Sequence, residues 1–111
     1  MVTSHPRQQG GDKRAADIAY KAHEAYPDDA AVTKALGMIN YRLGDYNRAE
    51  RYLKESDAQK TGDPQLLFYL GQAQYQLHQK TDSKKTLTRA LDLKLADPLA
   101  TDARKTLALL K

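Results

Sequence analysis

The residues able to do chemistry are few, and their spacing is wrong for it. His5, His23 and His78 are scattered, and no two stand at the i, i+4 separation that would turn both imidazoles toward one metal ion on a helix face. Each is read as a surface or interhelical residue. Gly10-Gly11 precedes a predicted helix as a phosphate loop would, but the lysine and hydroxyl such a loop carries at fixed offsets are missing. Asp28-Asp29 suit a helix start, where carboxylates meet unpaired N–H groups, and need no acid–base role. With no cysteine among 111 residues, disulfides, thiol nucleophiles and thiolate zinc sites are excluded. The sequence predicts no enzyme, no metal and no cofactor.

Binding remains as the kind of function to look for. The net charge is +4, and the excess lies in the second half, as in KTDSKKTLTRALDLK (residues 80–94). Such a stripe could draw nucleic acid or anionic lipid; the simpler reading is a solvated helix face. A charged fraction of 29% beside 41% hydrophobic, with six glycines and four prolines, predicts one helix-rich, soluble domain. No apolar run is long enough for a secretory signal or a membrane span, so a cytoplasmic chain, or a domain cut from a longer envelope protein, is the default expectation.

The elements that must position any binding surface show themselves as a repeat. Leu36, Gly37, Tyr41, Leu43, Leu53, Asp63 and Pro64 recur 34 residues on as Leu70, Gly71, Tyr75, Leu77, Leu87, Asp97 and Pro98. Repetition at this step marks a solenoid whose units bury their apolar faces against each other. Val32, Leu36, Ile39 and Leu43 form one helical stripe, and Leu66, Leu70, Ala73 and Leu77 repeat it. A second helix per unit carries Ala49, Leu53 and Ser56, then Ser83, Leu87, Ala90 and Leu91. Gly44-Asp45 supplies a left-handed stop and an N-cap, Thr81 or Asp82 the later cap, and Asp63-Pro64 and Asp97-Pro98 each read as N-cap plus first-turn proline. Gly37 and Gly71 lie mid-helix, where glycine costs about 1 kcal/mol against alanine. Set beside Ala49 and Ser83, they are expected to let paired helices approach closely.

The pattern L-G…Y-x-L-G-D-Y…A-x-x-x-L resembles the tetratricopeptide repeat, a 34-residue helix-turn-helix unit with small residues at its eighth and twentieth positions. Ala30 then begins one unit and Pro64 the next, while Ala15, Ala19, Ala22 and Pro27 fit a preceding unit that lacks its first helix. The resemblance covers about residues 12–97. Thr33 and Leu67 stand where the family often has tryptophan, and Asn40 and Gln74 replace the usual aromatic at the eleventh position. The C-terminal PLATDARKTLALLK, with Leu99, Ala103, Thr106, Leu107 and Leu110 on one face, reads as a capping helix.

The resemblance implies an all-α, right-handed superhelix of antiparallel helix pairs. Helices are expected near 12–26, 29–43, 45–60, 64–78, 81–95 and 98–110, with residues 1–10 disordered and 11–111 a single domain. It further implies a concave groove, formed by the first helices, that holds a peptide or helix of a partner protein. The inward positions are Lys34, Met38, Tyr41 and Arg42 from one unit and Phe68, Gln72, Tyr75 and Gln76 from the next. Tyr41, Phe68 and Tyr75 could equally pad helix contacts. Lys34 sits where the carboxylate-clamp variant of the family has a lysine, but Met38 and Tyr69 replace the clamp's asparagines, which argues against that function. The alternatives are a structural segment of a larger assembly with no groove ligand, and an RNA-reading helical repeat, which the 34-residue step disfavours. The bare side of helix 12–26, with Ala15, Ile18, Ala19 and Ala22, is expected to be covered by homodimerisation or by further repeats.

Overall fold

The structure, a computed structural model, describes the backbone of residues 6–110 and the side chains of residues 13–110. Six helices follow one another: α1 (Pro6–Ala25), α2 (Ala30–Arg42), α3 (Tyr46–Gln59), α4 (Pro64–Gln76), α5 (Lys80–Asp92) and α6 (Leu99–Leu109), with no strand among the described residues. This is an all-α helical repeat. Of the expected disordered segment, residues 1–5 lie outside the described residues, whereas residues 6–10 are helical. Helix α1 therefore starts at Pro6 rather than 12, with Gly10 and Gly11 inside it. Proline at a first helical position forfeits no hydrogen bond, since that N–H has no partner anyway.

Helices α2, α3 and α4 each open on an aspartate. The Asp29 carboxylate accepts from the N–H groups of Ala31 (2.9 Å) and Val32 (3.2 Å), Asp45 accepts from Arg48 N–H (3.2 Å), and Asp63 accepts from Leu66 N–H (3.1 Å) with Pro64 following it. Two expected caps are not made. Helix α5 begins at Lys80, with Gln79 at the cap position and no side-chain bond, so neither Thr81 nor Asp82 caps it. Helix α6 begins at Leu99, and Asp97 bonds Thr101 instead, through its N–H (3.1 Å) and hydroxyl (2.7 Å).

Within a unit the two helices pack most extensively on each other, α2 on α3 and α4 on α5. Gly37 and Gly71 are buried at these crossings. A Cβ added at Gly37 would lie 2.7 Å from Leu53 Cγ and 3.2 Å from the Leu53 backbone nitrogen; at Gly71 it would lie 2.6 Å from Leu87 Cγ and 3.3 Å from the Leu87 nitrogen. The close neighbour of Gly37 is therefore Leu53, one turn beyond the expected Ala49. Glycine admits the body of a leucine and brings the backbones together. In the second unit Ser83 Oγ also donates to Gly71 O at 2.8 Å, binding the two helices where they are closest.

The core continues along the stack through Leu66, Leu67, Phe68, Leu70, Ala73, Leu87 and Ala90 to Ala100 and Ala103 of α6. Leu43, expected on the stripe, is 37% exposed because the helix has already turned into the loop. The loop at Gly44 is left-handed (φ 81°), and 34 residues later His78 adopts the same conformation (φ 63°) with a side chain that makes it costly. His78→Gly is expected to raise unfolding stability by about 1 kcal/mol, read from urea denaturation. No gain would mean that the imidazole makes contacts worth the strain.

Candidate functional site

The eight inward positions do not form one surface. Phe68 is 5% exposed and lies in the core with its ring edge-on to Tyr69 (5.2 Å); it supports the wall rather than facing a ligand. Gln72 is also buried, because α6 lies across it: Gln72 and the Thr106 hydroxyl are bonded at 3.0 and 3.1 Å. A cap helix in the place of a next first helix consumes the groove position beneath it.

Lys34 is half-buried, and its Nζ donates to Asp63 Oδ2 and Gln65 Oε1, both at 2.8 Å, joining α2 to the start of α4. Burial works against ionisation of Asp63, but the bonds from Lys34 and from the Leu66 and Gln65 N–H groups outweigh it and hold this carboxyl below the usual carboxylate range. Lys34 borders a hollow of about 250 Å³ with Ala30, Ala31, Ser56, Lys60 and Asp63. With two acceptors already on its ammonium, Lys34 is poorly placed to clamp a carboxylate.

The accessible part is built from the remaining residues. Met38 and Tyr41 are half-buried and Arg42 is exposed on α2; Tyr75 is half-buried and Gln76 exposed on α4. The Tyr41 ring stands edge-on to Tyr46 and to Tyr69, each at 5.5 Å, which fixes it at low entropy cost. Burial, then the neighbouring Tyr46 and Tyr69 phenols, raises its pKa, so the hydroxyl stays neutral and able to donate. Tyr75 and Gln76 border a separate hollow of about 400 Å³ with His78, Lys80, Leu109 and Leu110.

Sequence reasoning missed the polar links between units. Asn40 and Gln74, which replace the family's aromatic, are buried. Asn40 donates to Leu36 O (2.9 Å) and accepts from Tyr20 (3.2 Å), while Gln74 accepts from Thr86 (2.7 Å) and approaches Glu50 (3.4 Å). An amide inside a leucine stripe was the available signal, since a buried amide needs partners. His23 does lie between helices, with Nε2 2.7 Å from Glu55 Oε2 on α3. Among the described residues no three histidines or acids come together as a metal site, and no helix is long and apolar enough to cross a membrane.

Antiparallel helix pairs repeating every 34 residues, with glycine under leucine at both crossings, define an α-helical repeat protein. The tetratricopeptide-repeat family profile matches residues 41–107, and the chain belongs to that family. It is 40% identical over 58 residues to the TPR repeat-containing protein PA4667 of Pseudomonas aeruginosa, a stretch that is 52% of this chain and 10% of that protein. The chain thus spans about a tenth of the curated relative it matches. Among the solved structures that share the fold are two peptide complexes. One is the type III secretion chaperone SycD of Yersinia enterocolitica in complex with a peptide of the translocator YopD (TM-score 0.81, 18% identity, 94% of this chain and 82% of that one). The other is the first TPR of Spaghetti (RPAP3) bound to an HSP90 peptide (TM-score 0.81, 22% identity, 93% and 82%).

Proposed function

We propose that the chain is a non-enzymatic interaction scaffold whose α2–α4 wall holds a peptide or helix of a partner protein. The observation that carries this is the set Met38, Tyr41, Arg42, Tyr75 and Gln76, none of which is buried in the core. Aromatic rings offer contact area at low entropic cost, and an amide can bond an extended backbone. Peptide complexes of two proteins with this fold support the reading. Nucleic acid is the weaker candidate: within the basic stretch, Arg89 is engaged by Asp57 (3.3 Å) and Thr61 (2.7 Å).

The test is a pull-down from lysate of the source organism with the native chain and with Tyr75→Ala plus Gln76→Ala. The expected result is loss of the captured partner with the melting temperature within about 2 °C of native, since these side chains are partly or fully exposed. Capture unchanged by the substitutions would remove this wall as the binding surface.

A further inference from the structure

One hollow at the edge of the proposed wall departs from the repeat. It holds about 400 Å³ where the end of α4 meets the end of α6, and is bordered by Tyr75, Gln76, His78, Lys80, Leu109 and Leu110. Subtracting 34 gives Tyr41, Arg42, Gly44, Tyr46, Tyr75 and Gln76, the same corner one unit earlier. There the Tyr41 ring stands edge-on to Tyr46 and to Tyr69, each at 5.5 Å. One unit on, Lys80 and Ala103 occupy the places of those two rings. Tyr75 is thus left with no ring contact and no side-chain hydrogen bond among the described residues.

These replacements define what the hollow would accept. Tyr75 and Leu110 are half-buried and Leu109 is 71% exposed, so apolar surface stays open to solvent. Lys80 is exposed with no ion-pair partner among the described residues, and no carboxylate borders the hollow. An incoming aromatic side chain would meet the Tyr75 ring as Tyr46 meets Tyr41, and an acidic group beside it would meet the Lys80 ammonium. Side chains of an extended segment alternate in direction, so a ring and a carboxylate on one face stand two residues apart. We infer that this hollow selects an aromatic residue with an acidic side chain two positions away, in an extended segment of the partner protein. The inference rests on the proposed concave site and specifies what that site reads.

The probe is a short glycine–serine peptide, blocked at both ends, that carries one phenylalanine and, two positions on, one glutamate. Titrated to millimolar concentration into the isotope-labelled full chain, it is expected to shift the NMR amide signals of Tyr75, Gln76, His78, Lys80, Leu109 and Leu110. Alanine in place of the phenylalanine should weaken binding about tenfold, as loss of a buried ring implies. Glutamine in place of the glutamate should weaken it about threefold, the scale of an exposed ion pair. In Lys80→Gln the glutamate and glutamine peptides should bind alike while the ring preference stays. Lys80→Tyr rebuilds the Tyr46 arrangement and fills the hollow, so the ring preference should fall below about twofold. Both substitutions are at an exposed position and should leave the melting temperature within about 2 °C of native. No shift of these signals, equal binding of the phenylalanine and alanine peptides or of the glutamate and glutamine peptides, or a ring preference that survives Lys80→Tyr overturns the inference. Partner capture from lysate separates it from the broader reading: capture lost in Tyr75→Ala plus Gln76→Ala but undiminished in Lys80→Tyr would keep the wall and overturn this inference alone. Self-association by light scattering that Lys80→Tyr abolishes would seat a second copy in the hollow and overturn it likewise.

Discussion

Phe68→Ala is expected to cost about 3–5 kcal/mol of unfolding free energy, the usual loss on emptying a buried phenylalanine site. Phe68 is 5% exposed, sits in the main core cluster and braces Tyr69, which in turn holds Tyr41. Its loss should therefore reach the wall indirectly, by loosening the tyrosines. Urea denaturation reads the cost; a change under about 1 kcal/mol would show that the neighbouring leucines close the cavity. Sequence spacing put Phe68 and Tyr75 on the same inward face, but only Tyr75 can lose its ring cheaply.

Gly71→Leu is the second large effect, expected to destabilise by about 1–3 kcal/mol or more through overpacking. The added Cβ alone would stand 2.6 Å from Leu87 Cγ, and 3.3 Å from a backbone nitrogen that cannot swing aside. Helix propensity acts in the opposite direction, since leucine is favoured over glycine by somewhat less than about 1 kcal/mol. A net loss therefore means that the clash exceeds the propensity gain. Thermal or urea unfolding of the variant gives the sign directly.

How far the sequence could be read follows from the kind of information each feature carries. The 34-residue step and the leucine stripes located six helices to within a few residues, α1 excepted, because periodic burial is written in residue types. The mid-helix glycines announced a close crossing, though not that Leu53 and Leu87 would be the residues received, since that depends on the stagger of two helices. The missed cap at Asp97 and the strained turn at His78 have another cause: a turn can be imposed by the flanking helices on a residue that does not favour it. The inward face was legible as a set of positions but not as a surface. What α6 covers, as at Gln72, and what the core absorbs, as at Phe68, are properties of three-dimensional stacking. The apolar side of α1 was half legible, in that Ala15, Ile18, Ala19 and Ala22 read as an uncovered face and Ile18 is 63% exposed.

The central claim is that each helix pair closes by seating a leucine body over a glycine. A double-mutant cycle on Gly71→Leu and Leu87→Ala tests it most directly. Removing the Leu87 side chain empties the volume that the longer side chain introduced at position 71 would enter. The double variant should therefore be at least about 1 kcal/mol more stable than the sum of the two single losses predicts. Strict additivity of the two losses would mean that the residues do not meet, and would contradict the account.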